Sequence, residues 1–259
     1  MSSVEKAFLI VETLAATEDG TLGVSTIAQR AGIPKSTAHR LLKILEAQQL
    51  VDRNDLKYRL GTRFFTLCYA ARWSVFGELR ELAVPILEDL FDRVRETAHL
   101  AVLEGGDVLY LEKICAAGGS RVPSRVGARM PATCTALGKA LLAFSAAEDH
   151  TEERRRPLDR ITQYSITDPR RFLAELDRAR KETVAYDFEE SRLGLHCVAA
   201  PIRRADGTAM AAISVAGPSF RFKVETATVH VRRAAQAIEH VAAESGIASR
   251  GLRPGQCSF

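Results

Sequence analysis

The stretch 24–63 limits the possible folds more than any other part of this chain. VSTIAQRAG reads as a short helix that Ser25 or Thr26 can cap, and it stops at Gly32, where a left-handed residue is cheapest. Pro34 then opens a second helix at a position where a missing N–H costs nothing. Ala38, Leu41, Leu42 and Leu45 supply that helix's apolar face. Two strands follow, LVDR and LKYRL, joined at Asn54-Asp55; in the second, Leu56, Tyr58 and Leu60 alternate with Lys57 and Arg59. The unit closes near Gly61. Two helices across a glycine turn, continued by a basic hairpin, spell a winged helix-turn-helix.

Charge placement gives that unit a partner. With Ala38, Leu41, Leu42 and Leu45 turned inward, Ser36, Arg40 and Lys43 point the opposite way at 100° per residue, with Thr37 and His39 on the flanks. The whole chain carries 36 basic and 32 acidic residues, an excess too small to imply nucleic-acid binding by itself. Over residues 30–59, however, Arg30, Lys35, Arg40, Lys43, Arg53, Lys57 and Arg59 face only Glu46, Asp52 and Asp55. The full surplus of the chain sits there, as neutralisation of DNA phosphates requires. Arg40, Ser36 and Thr37 are therefore expected in the major groove, and Lys35, Lys43, Arg53, Lys57 and Arg59 on the backbone, with His39 beside them.

The rest of the chain is long enough for a second domain. Its 259 residues, 46% hydrophobic and 26% charged, match an ordinary soluble protein of two modest domains. No apolar run approaches the roughly 20 residues of a membrane span. Glu5 and Lys6 interrupt the opening stretch where a signal peptide needs apolar residues, so a cytoplasmic location is expected. Val4, Ala7, Phe8, Val11, Leu14 and Ala15 form a helical stripe ahead of the DNA-binding unit. Helical spacing returns from Thr62 to about Val75, with Phe64, Cys68, Ala71 and Val75 on one side. It resumes from Glu78 to Glu96 through Leu79, Leu82, Ala83, Ile86, Leu90 and Val94, with Pro85 as a kink. The break at Phe76-Gly77 divides the chain into a DNA-binding domain (1–61), a linker helix (62–77), a second domain (78–248) and a flexible tail (249–259).

In the second domain AHLAVLEGGDVLYLEKI predicts two strands around Gly105-Gly106, and RVPSRVG predicts a third. MPATCTALGKALLAF leads into a helix, and Thr167-Asp168-Pro169 starts another that runs to about Lys181. LGLHCVAAPIRR and MAAISVAG form a hairpin. A long helix follows, carrying Val224, Thr228, Val231, Ala235, Ile238 and Ala242 on one face. The fold class is α+β.

These segments, in this order, make the chain resemble the IclR-type bacterial transcriptional regulators. The resemblance rests on SVEKAFLIVETLA, on STIAQRAGIPKSTAHRLLKILEAQQLV with YRLGTRFFTL, and on the more specific ETAHLAVLEGGDVLYLEKI, RVGARMPATCTALGKALLA and LGLHCVAAPIRRADGTAMAAISVAGP. It implies a winged helix-turn-helix joined by a helix to an α/β effector-binding domain with an antiparallel, GAF- or profilin-like sheet. It also implies homodimers or dimers of dimers on partly palindromic double-stranded operators, controlling catabolic genes. An acidic effector is implied between the start of the GKALLA helix, the loop before LGLHC and the following strands. On this chain that points to Ala136 and Leu137 as backbone donors and to Asp187, Cys197 and Ser214 as side-chain contributors, and an anion at a helix N-terminus gains from open amides. Ala216 stands where the family can carry a second hydroxyl. With Met130, Cys134, Leu137 and Leu195 as lining, this favours a partly apolar effector such as an aromatic acid.

Each of these residues also has a plainer role open to it. Cys197 in LHCVAA suits a small buried hydrophobe, Ser214 can bond a neighbouring carbonyl, and Asp187 can hold a donor on the ligand or orient its own loop. A thiol hydrolase using Cys134 or Cys197 with His99, His150 or His196 is the alternative, although no hydrolase, Walker or dinucleotide motif occurs. Five scattered cysteines without a C-x-x-C pair and six histidines without chelating spacing predict neither disulfide, structural zinc nor metal sensor, and no cofactor is expected.

Overall fold

The computed structural model describes residues 1–17, 20–71, 75–116, 124–145 and 158–249. It divides into two compact units, Met1–Trp73 and Ser74–Phe259. In the first, α1 (Ser3–Ala15) starts at a capping box in which the Ser2 hydroxyl accepts from the Glu5 amide and the Glu5 carboxylate accepts from the Ser2 amide. Ile10 and Leu14 are buried, but Val4 and Phe8 stay 66% and 64% exposed, so the core stripe is narrower than the sequence suggests. Helix α2 (Val24–Arg30) is capped by Gly23, with no bond from Ser25 or Thr26. It ends in a Schellman turn: the Gly32 and Ile33 amides donate to the Gln29 and Ala28 carbonyls, with Gly32 at φ 63°.

Helix α3 (Lys35–Ala47) buries Ala38, Leu41, Leu42 and Leu45 as expected. It ends the same way at Gln49, a non-glycine at φ 58°. A Cβ on Gly61 would lie 2.2 Å from the Gln49 carbonyl oxygen, so only glycine lets the hairpin return against this turn. Strands β1 (Leu22–Gly23), β2 (Val51–Asn54) and β3 (Lys57–Leu60) make a small antiparallel sheet in the order β1-β3-β2. Leu56 does not join the inner face; it sits in the β2–β3 turn, 78% exposed. Helix α4 (Arg63–Ala71) follows, with Phe65 and Leu67 exposed, Phe64 half-buried and Cys68 exposed.

Helix α5 (Val75–Val94) opens the second unit and contains Phe76 and Gly77, so the expected break at these residues does not occur. Phe76 packs on the second core, which favours continuing the helix through Gly77. Leu87, absent from the predicted stripe, is fully buried. The sheet runs β6-β5-β4-β9-β8-β7, antiparallel throughout, from β4 (Thr97–Glu104), β5 (Asp107–Ile114), β6 (Arg129–Pro131), β7 (Ala185–Phe188), β8 (Leu195–Arg203) and β9 (Ala209–Pro218). The third strand expected at 121–127 is replaced by β6; residues 121–123 lie outside the described residues, and 124–127 are turn and coil. Strand β7 had no counterpart in the sequence reading.

Strand alternation sends side chains to two cores. Ala98, Leu100, Val198, Ala200, Ile213 and Val215 meet α5 and α8 (Val224–Glu244). On the other face Ala101, Cys197, Ala199, Ala212 and Ala216 meet α6 (Ala136–Ala143) and α7 (Pro169–Glu182). The β4–β5 register slips between Leu100 and Ala101, so Lys113 lies opposite His99 while Tyr110 lies opposite Ala101. The expected tail falls, from residue 250 on, outside the described residues.

Candidate nucleic-acid interface and effector site

In the first unit α3 turns Lys35, Ser36, His39, Arg40 and Lys43 to solvent and leaves Thr37 half-buried. Pro34 caps the helix without a side-chain bond, so the first-turn amides are open on the same end as Lys35 and Ser36. Among the described residues Lys35, Arg40, Lys43 and Lys57 have no ion-pair or hydrogen-bond partner for their side chains. The other two wing cations are engaged. Arg53 donates through Nε to the Asp55 carbonyl at 2.8 Å and lies over the Tyr58 ring, while Arg59 pairs with Asp52 across the hairpin at 3.5 Å. They stiffen the wing and hold their charge on its surface, whereas the α3 cations are free to follow a phosphate backbone.

In the second unit the expected effector residues converge on the α6 face of the sheet. Cys134 ends a turn of 3-10 helix before α6, and its thiol donates to the Asp159 carbonyl at 3.3 Å. Thr135 caps α6 by accepting from the Gly138 amide at 3.0 Å, leaving the Ala136 and Leu137 amides without intrahelical acceptors. A Cβ on Gly138 would fall 2.1 Å from the Ala132 carbonyl oxygen, so the close passage of helix and turn depends on glycine. Leu137, Leu195 and Cys197 belong to one buried cluster, with Met130 on β6 packed at its margin. Cys197 lies opposite Asp187 and Ala216, and Ser214 opposite His99 and Ala199.

Asp187 is spent on its own loop. It accepts from the Glu190 amide at 2.7 Å, the Ser191 amide at 3.2 Å and the Ser191 hydroxyl. Burial nonetheless pushes its carboxyl above the ordinary range. Beside it Lys139 of α6 is completely buried and pairs with Glu190 at 2.5 Å and Glu175 at 3.6 Å. Glu190 keeps one buried oxygen with no partner, and burial raises its pKa. This pair ties the helix that offers the amides to the loop that Asp187 shapes.

The sequence reading missed Lys139 and Glu190, and the only signal for them was a lysine inside an otherwise apolar helix. It took His99 only as a partner for a thiol. The His99 ring is buried, pushed down to about pKa 3 by desolvation with a further push from Lys113, and set between Ser124 Oγ at 2.7 Å and Ser214 Oγ at 3.4 Å.

Burial pushes the Cys134 and Cys197 thiols up, the reverse of what a nucleophilic thiolate needs. His99 is engaged by the two serines and His196 packs on Phe188, while His150 lies outside the described residues. Among the described residues no three metal-binding side chains cluster, and no helix is long and apolar enough to cross a membrane. A shallow depression of about 500 Å³ between α7, β7 and α8, lined by Arg178, Tyr186, Phe188, Val224, Glu225 and Thr228, lies on the opposite face from Asp187.

A winged head with an unpaired cationic helix, followed by a separate α/β unit whose α6 face is lined by buried alanines, Leu137, Leu195 and Cys197, has the two-part build of a ligand-responsive DNA-binding regulator. Residues 3–55 match the IclR helix-turn-helix domain and residues 76–240 the bacterial transcriptional regulator IclR C-terminal domain. The chain belongs to the IclR family of transcriptional regulators, a non-enzymatic family, which removes the hydrolase alternative. It is 33% identical over 226 residues to the probable transcriptional regulator SauR of Cupriavidus necator, covering 85% of this chain and 87% of that one. It is 30% identical to the regulator KdgR of Escherichia coli, covering 95% and 93%. Among solved structures, an IclR homolog from Microbacterium hydrocarbonoxydans complexed with 4-hydroxybenzoate superposes with a TM-score of 0.81 at 32% identity, covering 92% of this chain and 98% of that one.

Proposed function

We propose that the protein is a cytoplasmic regulator of catabolic genes that binds a partly palindromic operator as a homodimer or dimer of dimers and releases or grips it in response to a small aromatic acid. The observation that carries the DNA half is the set of unpartnered cations Lys35, Arg40, Lys43 and Lys57 on α3 and the wing. In this reading Arg40, Ser36 and Thr37 contact base edges. Lys35, Lys43 and Lys57 contact phosphates, joined by Arg53 and Arg59 from the stiffened wing and by His39 at the helix flank.

Self-association is supported by the apolar surface the head leaves open, with Phe8 at 64% and Phe65 at 80% exposure. A two-fold protein reads half-sites about one DNA turn apart. The effector half is supported by the open amides of Ala136 and Leu137 above an apolar lining of Met130, Leu137, Leu195 and Cys197 with Ser214 and Cys134 at its edges. Asp187 serves as the loop anchor. The 4-hydroxybenzoate held by the Microbacterium relative is an aromatic acid of this kind.

The test is a gel-shift series on the protein's own promoter region across salt concentrations, paired with a thermal-shift screen of aromatic and short-chain acids. A steep salt dependence is expected, Arg40→Ala is expected to abolish sequence preference without changing the melting temperature, and a bound acid must raise the melting temperature. Full sequence preference in Arg40→Ala would remove α3 as the reading helix.

A further inference from the structure

Strand β7 is the outermost strand of its sheet and pairs with β8 alone. The Glu189 amide donates to the Leu195 carbonyl at 2.9 Å. In an antiparallel ladder, residues that bond the neighbour alternate with residues that face away from it. Ala185 and Asp187 therefore bond β8, while Tyr186 and Phe188 turn their N–H and C=O groups to the open side. Among the described residues none of those backbone groups has a partner. An open edge is a template for another strand, and β7 carries neither a proline nor a lysine to blunt it.

The surface along this edge is sorted by character. Tyr186 and Phe188 project to the α8 side with their rings stacked, centroids 5.6 Å apart, and Phe188 is 46% exposed. Together they border the depression of about 500 Å³ between α7, β7 and α8. Arg178 stands at the Tyr186 end, its guanidinium 4.8 Å from that ring's centroid and braced by Glu175 and Glu182. Glu225 stands at the Phe188 end, because α8 begins just after β9 leaves the sheet beside Leu195, and β7 finishes at the same end. Thr228, one turn further along α8, already reaches the Tyr186 hydroxyl. Among the described residues the Glu225 carboxylate has no partner.

This pattern is its own complement. Two copies of β7 turned antiparallel about a two-fold axis at Asp187 set Tyr186 opposite Phe188 of the second copy, so that every open N–H and C=O is matched in two reciprocal pairs. The same rotation brings aromatic against aromatic across the strands, a favoured cross-strand pair, and carries the Glu225 end of one copy to the Arg178 end of the other. The two Asp187 side chains meet on the opposite face, each already spent on its own loop. We infer that the β7 edge is a self-association surface, at which a second copy of this chain adds its own β7 antiparallel and joins two six-stranded sheets into one. This rests on the self-association proposed above and gives it a contact separate from the apolar surface of the head.

Sedimentation equilibrium on the full chain tests it with two variants. Glu225→Arg sets like charges across the edge, and Phe188→Pro removes one outward N–H at an edge position that tolerates proline. Each is expected to halve the mass of the wild-type assembly. Hydrogen exchange on the wild type needs no variant: the Tyr186 and Phe188 amides are expected to exchange at least about ten-fold more slowly in the assembly than after dilution has dissociated it. A mass unchanged in both variants, or two amides that exchange freely at every concentration, overturns the edge contact and leaves association through the head standing. A wild type that is monomeric throughout overturns both.

Discussion

The two ligand-facing surfaces of this protein solve the problem of presenting charge in opposite ways. On the head, Lys35, Arg40, Lys43 and Lys57 remain in water and unpaired. In the second domain Lys139, Asp187, Glu190 and His99 are buried and consumed by one another or by the loops they hold. A surface that must meet a polyanion keeps its charges solvated, where they cost nothing until DNA arrives. The α6 face of the second domain presents backbone amides and neutral side chains, while its buried charges serve as internal struts. Charge on the head therefore stays available at the surface, and charge in the second domain is spent on holding helix and loop in place.

The sharpest way to break this contrast is to remove one lysine from each region. Lys139→Met strands Glu190 in the interior and is expected to destabilise the second domain by about 3–5 kcal/mol, while Lys43→Met changes stability by less than about 0.5 kcal/mol. Denaturant unfolding followed separately for the two domains reads both. Replacing the buried pair together, as Lys139→Met with Glu190→Leu, is expected to recover much of the loss; failure to do so would mean that the pair is not simply an internal strut.

A second, smaller effect comes from His99. Its ordinary pKa is 6.5 and the fold lowers it to about 3. The unfolded chain therefore binds a proton below pH 6.5 that the native state refuses, so this group's contribution is complete above pH 6.5 and is lost as the pH falls toward 3. The slope is about 1.4 kcal/mol per pH unit in that window. Asp187 and Glu190, raised by burial, act in the opposite sense: their contribution is complete below their ordinary pKa values and is lost as pH rises through the raised ones. The comparison of wild type with His99→Gln isolates the imidazole. A melting temperature with the same acid dependence in both would contradict a buried neutral His99.

The smallest expected change returns to the head. Gln49 holds a left-handed turn at φ 58°, a conformation that glycine adopts freely. Gln49→Gly is expected to stabilise the winged unit by about 0.5 kcal/mol, read as a small rise in its unfolding midpoint, with DNA affinity unchanged.

The same contrast explains what could be read in advance. Helix α3 announces itself because Ala38, Leu41, Leu42 and Leu45 oppose Arg40 and Lys43 on one cylinder, and the glycine and proline around it fix its ends. Helix α6 is legible as a helix, but its sequence gives no such signal of an inner and an outer face. All of its residues, Lys139 included, are buried, so there is no polar face for a period to reveal. Strand β7 is four residues of mixed character, recognisable only once β8 supplies its partner. Leu56, Val4 and Phe8 fit apolar stripes by spacing, yet each lies where this chain offers nothing to cover it.

Local chemistry along the chain was therefore enough to settle the winged head, its cationic ridge, the order of most elements in the second domain and the family. Capping, turn residues and periodicity act between neighbours and are written in their order. Which buried lysine meets which glutamate, and which serines clasp His99, were decided only by packing. Those contacts join residues from 25 to more than a hundred positions apart, and the register of a six-stranded sheet, including one slip, sets them.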